Sequence, residues 1–519
     1  AIYVSEADKV YITLEDGTNN RLSDGGEYSE SAETNACIHS KTDLEIDGNG
    51  SLTVNGNVHN GISAKDDFEI SGGAVNITAV NDGIHVNDTA EVNGGSVSIT
   101  AGGDGIQSES ILDITDGSIS VECTGEVTVT DTPMFGMGGR AGRITSEPEP
   151  TGEPADEDTE DTSSKGIKAG WMLDISGGEV TINSNDTCVK CDSELNISGG
   201  TLTLTSDKKK GIKGMEDVNI SGGKIDIKKS TEGIETKRIM TISGGDIDVI
   251  ASDDGFNAGG DGMGFGGGMQ PPERPEDGIR PGAMEGEQGL QMPESPEGGI
   301  RPEPMEGEPD RQPLERPADE AGMMHRGGMG GRAEATEVSA EHHIEISGGD
   351  IYINAQGDGI DSNGSLIISG GSVIVDGPEM GGDSALDHDG LFEINGGTVI
   401  AVSSAGMIEN PSEASAQNVI SAYITAANGS EITIKSSSGQ EVCSYKVNKN
   451  AGHIMFSSAE LAAGEAYTVY VDGTEAVSGE IQSALTVMGS AAGGFGGRGG
   501  QGGMRLPRNP EERPMGNAN

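Results

Sequence analysis

The tetrapeptide "ISGG", or a near variant, returns along the chain with its first glycine at Gly72, Gly94, Gly177, Gly199, Gly222, Gly244, Gly348 and Gly370. "TDG" at 115–117 and "NGG" at 395–397 fill two further places in the series. Neighbours with nothing inserted between them differ by 22 or 23 residues (94 − 72 = 22; 222 − 199 = 23). Two positions before each glycine stands an aliphatic residue: Ile70, Val92, Ile114, Ile175, Ile197, Ile220, Ile242, Ile346, Ile368 and Ile394. After it comes a β-branched alternation such as "AVNITA", "EVTINS" or "DIYINA", which reads as a strand. A Gly-Ile-like pair recurs with the same period, at 61–62, 83–84, 105–106, 166–167, 211–212, 233–234, 255–256 and 359–360. One repeat is therefore strand, glycine turn, strand, turn, short Gly-Ile strand, turn. Strands this short cannot bury their own apolar face, but stacked repeats bury a continuous column. The period predicts an all-β chain: a parallel β-helix of about eleven 22-residue coils.

Two interruptions break the count. Gly117 and Gly177 are 60 apart, an excess of 38 that falls in the Pro/Glu/Asp-rich segment near 126–164. Gly244 and Gly348 are 104 apart, an excess of 82 that falls in the Gly/Met/Pro/Arg/Glu tract near 258–339. Both are low-complexity and read as disordered or loosely draped loops. They leave the helix beside the same face and bracket the lysine-bearing coils, where loops would wall a groove. The expected organisation is capping strands at 1–35, the parallel β-helix at 36–402, an antiparallel β cap at 403–490 and a disordered tail at 491–519. Covering a helix end matters because an open end is a sheet edge that invites aggregation.

Charge narrows the partners. Asp and Glu number 86 against 32 Lys and Arg, a formal net charge of −54, which argues against nucleic acid because phosphates would be repelled. The short run "GFGGRGGQGG" does not offset that charge. Such acidity suits a secreted or cell-surface bacterial protein in a calcium-rich setting, since carboxylates are natural ligands of hard cations. No stretch is apolar and long enough to span a membrane. The chain starts at Ala1 without methionine, which fits removal of an export signal. The five cysteines are Cys37, Cys123, Cys188, Cys191 and Cys443. "CVKC" at 188–191 has no second pair at zinc spacing, so core packing is the plain reading and a redox or disulfide role the alternative.

Equivalent positions of stacked coils lie about 4.8 Å apart, so a column in sequence becomes a row in space. The column after the Gly-Ile pair reads His39, Ser63, His85, Gln107, Lys168, Lys190, Lys213, Glu235, Asn257, Asp361, Asp387. The column before the glycine reads Ala36, Asn60, Asp82, Asp104, Lys165, Thr187, Lys210, Glu232, Asp254, Asp358, Ser384. A basic belt thus occupies the middle coils and an acidic belt follows. Glu232, Glu235, Asp253, Asp254, Asn257, Asp358 and Asp361 would share one face of three neighbouring coils. Their mutual repulsion invites a cation, and all-oxygen donors suit Ca2+; the alternative is a solvated acidic face. Asp82 with Asp104 is a second, weaker candidate. Lys168, Lys190 and Lys213 form a row that an acidic polysaccharide would fit, unless Lys213 simply pairs with Glu232 and Glu235. Trp171, the only tryptophan, either stacks on a sugar ring or packs beneath the first insertion.

With the "ISGG" coils, "SKGIKAG", "STEGIET", "SDDGFNAGG", the opening "IYVSEADKVYITLEDGTNNRLSDG" and the strands after the helix in view, the chain resembles a family. It is the calcium-containing carbohydrate-binding β-helix family of anaerobic, fibre-degrading bacteria, and the resemblance runs from about residue 2 to 475. The resemblance implies a right-handed parallel β-helix like that of polysaccharide lyases, calcium along the helix, and binding of pectin-like or cellulosic plant cell-wall polysaccharide. It also implies a calcium role for Glu232, Glu235, Asp254 and Asn257, whose "EGIE" and "DDGFN" motifs match. The long Met/Pro/Glu-rich insertion departs from the pattern and bears on groove access. Cys188, at a usual glycine position, bears on a local turn. Three functions follow: non-catalytic polysaccharide binding, a calcium-dependent pectate lyase with Lys213 or Lys190 as base, and a structural surface protein or adhesin. A lysine base needs a depressed pKa, which an adjoining acidic belt opposes, and this favours binding over catalysis.

Overall fold

The computed structural model describes residues 1–26, 28, 34–126, 163–259, 338–339 and 341–490. Apart from their described flanks, the two expected loops near 126–164 and 258–339 lie outside these residues, as does the tail at 491–519. Among the described residues the protein is all-β, without a helix, and most strand pairs are parallel. None of it is a helix long and apolar enough to cross a membrane.

The alternation in the sequence sets which face is buried. In Ala74–Ala79, Val75 and Ile77 are buried while Asn76 and Thr78 face outward. Val75 and Ile77 lie in register with Leu52 and Val54 of the preceding repeat, and with Val97 and Ile99 of the next. A slip of one residue would turn this whole column to water, so burial fixes the register. The short Gly-Ile strands form their own twelve-stranded parallel sheet, from Ile2–Val4 to Leu386–His388, ordered as in sequence. The sheet passes both interruptions without a gap, because Ile106–Ser108 pairs with Ile167–Ala169 and Phe256–Ala258 pairs with Ile360–Ser362. Lys9–Leu14 and Asn19–Ser23 continue the parallel stack, pairing with Asp43–Gly48 and Ser51–Gly56.

Both glycines of "ISGG" are required. A Cβ on Gly94 would lie 2.5 Å from the Ser71 carbonyl oxygen of the preceding repeat, and Gly95 has φ 75°. The glycine of the Gly-Ile pair answers to a different neighbour. A Cβ on Gly83, Gly105 or Gly166 would meet a branch methyl of Ile99, Val121 or Ile182 at 2.4, 2.3 and 2.2 Å. Each partner is β-branched and lies 16 residues further on (99 − 83 = 16). Cys188 occupies this column, and the residue 16 beyond it is Leu204, in register with Ile182. Leucine has no branch at Cβ, and the strand Val189–Cys191 runs regularly after a fully buried Cys188. Ala385 and Ala401 make the same exchange in smaller residues (401 − 385 = 16). Cys37, whose counterpart is Val54, does not follow this rule.

After Thr398–Ser403 the pairing turns antiparallel: Ala451–Ser457 pairs with it and with Val419–Ala426. A four-stranded antiparallel sheet follows in the order Glu441–Lys446, Glu431–Ser436, Ala466–Val471, Thr474–Glu480. It packs on a second core that includes Ile432, Ile434, Phe456 and Val469. Buried Lys449 reaches back to the parallel stack, where its ammonium donates to the carbonyls of Asp376 (3.1 Å), Gly377 (3.2 Å) and Ala355.

Candidate functional site

The twelve-stranded sheet turns the column after the Gly-Ile pair into an unbroken ladder, but not the outward one expected: only Tyr3 is exposed, and His39, Ser63, Gln107, Lys190, Glu235 and Asn257 are buried. Tyr3, His39, Ser63, His85, Gln107, Lys168, Lys190, Lys213, Glu235, Asn257, Asp361 and Asp387 are successive register partners. Polar side chains therefore follow one another along a face at the parallel-strand spacing of about 4.8 Å.

The basic rungs are largely held by carboxylates of the chain itself. Lys190 is buried with its ammonium 3.3 Å from Asp192, and Lys165 lies 3.3 Å from Asp186. Lys210 lies 3.4 Å from Glu232 Oε1 and against Glu235, which Lys213 approaches at 4.0 Å. Lys168 is half-buried and forms no ion pair among the described residues. Trp171 is half-buried in the turn between Ile167–Ala169 and Met172–Ile175, off the ladder. Its backbone N–H donates to the Ser110 carbonyl at 2.8 Å.

The seven acidic-belt residues divide. Glu232 and Glu235, the latter 1 % exposed, face the lysines. Asp253 is exposed. Asp254 with Asn257 and Asp358 with Asp361 occupy equivalent places on two adjoining repeats, with Asn257 and Asp361 register partners. Burial, then Asp253 and Asp358, pushes the Asp254 carboxyl up to about 7. Burial, then Asp387, Asp383 and Asp253, pushes Asp358 up to about 7. Burial, then Asp254, Asp358 and Asp387, pushes Asp361 up to about 8. Each is desolvated and repelled by neighbouring carboxylates, a combination that a bound cation relieves. Asn257, 6 % exposed, donates from Nδ2 to Asp254 Oδ2 at 3.3 Å, while its buried Oδ1 has no hydrogen-bond partner. An orphaned amide oxygen among carboxylates suits a hard cation better than zinc or copper.

Among the described residues, the only three His, Cys, Asp or Glu side chains whose ligand atoms all lie within 4.8 Å of one another are elsewhere, at Asp43, Asp66 and Asp67. Asp66 and Asp67 are exposed there.

The column before the glycine has a structural task that sequence reasoning missed. Its Asn and Asp side chains accept the backbone N–H of the equivalent residue one repeat on. Asp82 N–H donates to Asn60 Oδ1 (3.1 Å), Asp104 N–H to Asp82 Oδ1 (3.0 Å) and Lys165 N–H to Asp104 Oδ1 (2.7 Å). Asp358 N–H donates to Asp254 Oδ1 (2.8 Å), and Ser384 N–H to Asp358 Oδ1. The signal was the residue type: Asn and Asp are short enough to cap a backbone N–H, and Lys is not an acceptor. Asp82 and Asp104 are accounted for in this way. Asp82 Oδ2 also lies 3.1 Å from His85 Nδ1, and Asp104 accepts the Ser163 hydroxyl at 2.6 Å.

All five cysteines are free and buried, and burial pushes the thiols of Cys188, Cys191 and Cys443 up to about 12. They pack as small core residues.

A carbohydrate-binding domain-containing protein of Acetivibrio thermocellus is 44% identical over 82 residues, 15% of this chain and 29% of that protein. The chain thus matches less than a third of that relative's length. No solved structure matches. The profile of the carbohydrate-binding domain-containing protein family matches residues 1–209 and 199–267. Together these cover 267 of the 519 residues, more than half, and the chain belongs to that family.

Proposed function

We propose that the protein is a secreted or cell-surface module that binds plant cell-wall polysaccharide without cleaving it and is stabilised by calcium. In this reading the repeats are coils of a right-handed parallel β-helix, the hand that parallel crossovers almost always take. The observation that carries the proposal is the unbroken ladder, a row of polar side chains kept in register from repeat to repeat in a member of a carbohydrate-binding family.

Asp254, Asn257, Asp358 and Asp361 would hold the calcium, which supplies positive charge to carboxylates that burial and proximity otherwise keep partly protonated. Glu232 and Glu235 serve the lysines. Lys168 offers its ammonium first to a sugar carboxylate, while Lys190 and Lys213 would exchange Asp192 and Glu235 for it. The same pairs weigh against a lyase. A lysine base must be neutral to take a proton, and these ammonium groups lie against carboxylates.

Incubation with polygalacturonate and calcium, following both retention and unsaturated product, tests the reading. Retention without product is expected. Product that disappears in Lys213→Ala would establish a lyase, and absence of retention on any cell-wall polymer would leave a structural rod.

A further inference from the structure

The chain is poor in aromatic residues, and among those described Phe68, Phe256, Phe392 and Phe456 are fully buried while most of the tyrosines and Trp171 are half-buried. The exposed aromatic side chains among the described residues are Tyr3 and Tyr11. Tyr11 pairs in register with Glu45, away from the ladder. Tyr3 is the ladder's first rung, in register with His39, and is 43 % exposed.

The Tyr3 ring is held in place. It stacks on the His39 ring with centroids 5.6 Å apart and planes 23° from parallel. His39 is 1 % exposed, and its Nδ1 lies 3.2 Å from Asn35 Oδ1, so the supporting ring is itself fixed. The Lys41 ammonium lies over the Tyr3 ring, 5.9 Å from its centroid and far enough to swing aside on its flexible stem. A side chain already immobilised loses little freedom when a ligand meets it. The face of a pyranose ring presents C–H groups, weakly positive and apolar, which match the negative face of an aromatic ring.

We infer that Tyr3 is a sugar-stacking residue of the ladder, the apolar contact for a polysaccharide whose polar contacts lie further along the same rungs. The inference rests on the polysaccharide reading above. Tyr3 and Lys168 are five rung spacings apart, roughly 24 Å at the parallel-strand spacing, so a polymer engages both and a disaccharide does not.

Affinity electrophoresis of the full chain through gels containing polygalacturonate or hydroxyethylcellulose, with calcium, tests it. In whichever gel retards the parent, Tyr3→Ala and Tyr3→Leu should weaken binding about five- to tenfold while Tyr3→Phe stays within about twofold. Tyr3→Leu keeps an apolar, strand-compatible side chain, so its loss reports the ring rather than the fold. Tyr11→Ala should leave the mobility shift unchanged. Undiminished retardation of both Tyr3→Ala and Tyr3→Leu would overturn this inference alone. A parent that neither polymer retards would overturn it together with the polysaccharide reading.

Discussion

The Asp358 backbone N–H donates to Asp254 Oδ1 at 2.8 Å, so one carboxylate joins two repeats through one oxygen and leaves the other facing Asn257. The two tasks separate by substitution. Asp254→Asn keeps an oxygen for the N–H and removes a charge from the cluster. We expect it to keep the metal-free stability and lose most of the calcium response, which for the parent is about 2.7 kcal/mol at a hundred times the Kd. Asp254→Ala should lose both, with a further cost of about 1 kcal/mol for the part-buried N–H left without its acceptor. Thermal melts with calcium and with chelator report both; an equal calcium shift in parent and Asp254→Asn would remove Asp254 from the metal site.

The same cluster sets a pH dependence. The carboxyls of Asp254, Asp358 and Asp361 titrate near 7, 7 and 8 in the folded chain, above the ordinary 3.8. The native state therefore binds more protons than the unfolded state across that interval, and stability falls as pH rises through 7 to 8. His453, lowered to about 4 by burial, opposes this trend below about pH 7, where the unfolded imidazole still takes up a proton that the native one does not, and adds little above it. In chelator the melting temperature should fall from about pH 6.5 to about pH 8 and level off above it, less steeply in Asp361→Asn, and calcium should flatten the fall. A chelated parent and an Asp361→Asn variant with the same slope would contradict the assignment.

Cys188 and Leu204 make a matched exchange for the Gly and Ile or Val of other repeats. Leu204→Ile returns a branch methyl to the space that Cys188 fills and should cost about 1–3 kcal/mol. In a Cys188→Gly background the same change should be nearly neutral. Additive costs in this double-mutant cycle would mean that the two residues are not coupled.

Lys449 satisfies three carbonyls of the parallel stack from the antiparallel part of the chain. Lys449→Met keeps the length and removes the donors, and should lower stability by about 1–3 kcal/mol in denaturant titration. An unchanged midpoint would show that the carbonyls find other donors.

How much of this was legible in the sequence depends on the kind of interaction. The period, the buried Ile and Val columns and the register of the ladder were legible, even across the two interruptions, because a parallel stack brings each repeat against its equivalent; that half of the rungs are buried was not. The ladder from His39 to Asp387 holds without a slip. Partners within the belts were not legible. Lysine side chains are long enough to reach carboxylates on their own or the next repeat, so Lys190 meets Asp192 and Lys210 meets Glu232. Pairing of Lys213 with Glu235 was foreseen as the alternative to ligand binding. Tyr3 was overlooked because its strand precedes the first Gly-Ile pair, so no motif marked it as a rung.

The ladder is the central claim, and charge reversal on it is the most direct test. Retention on polygalacturonate in calcium should be measured for the parent, Lys168→Glu on the ladder and Lys224→Glu, an exposed lysine paired with Asp246 on another face. We predict about tenfold weaker retention for Lys168→Glu and parent-like retention for Lys224→Glu. Equal retention of all three, or equal loss in both variants, would contradict binding along the ladder.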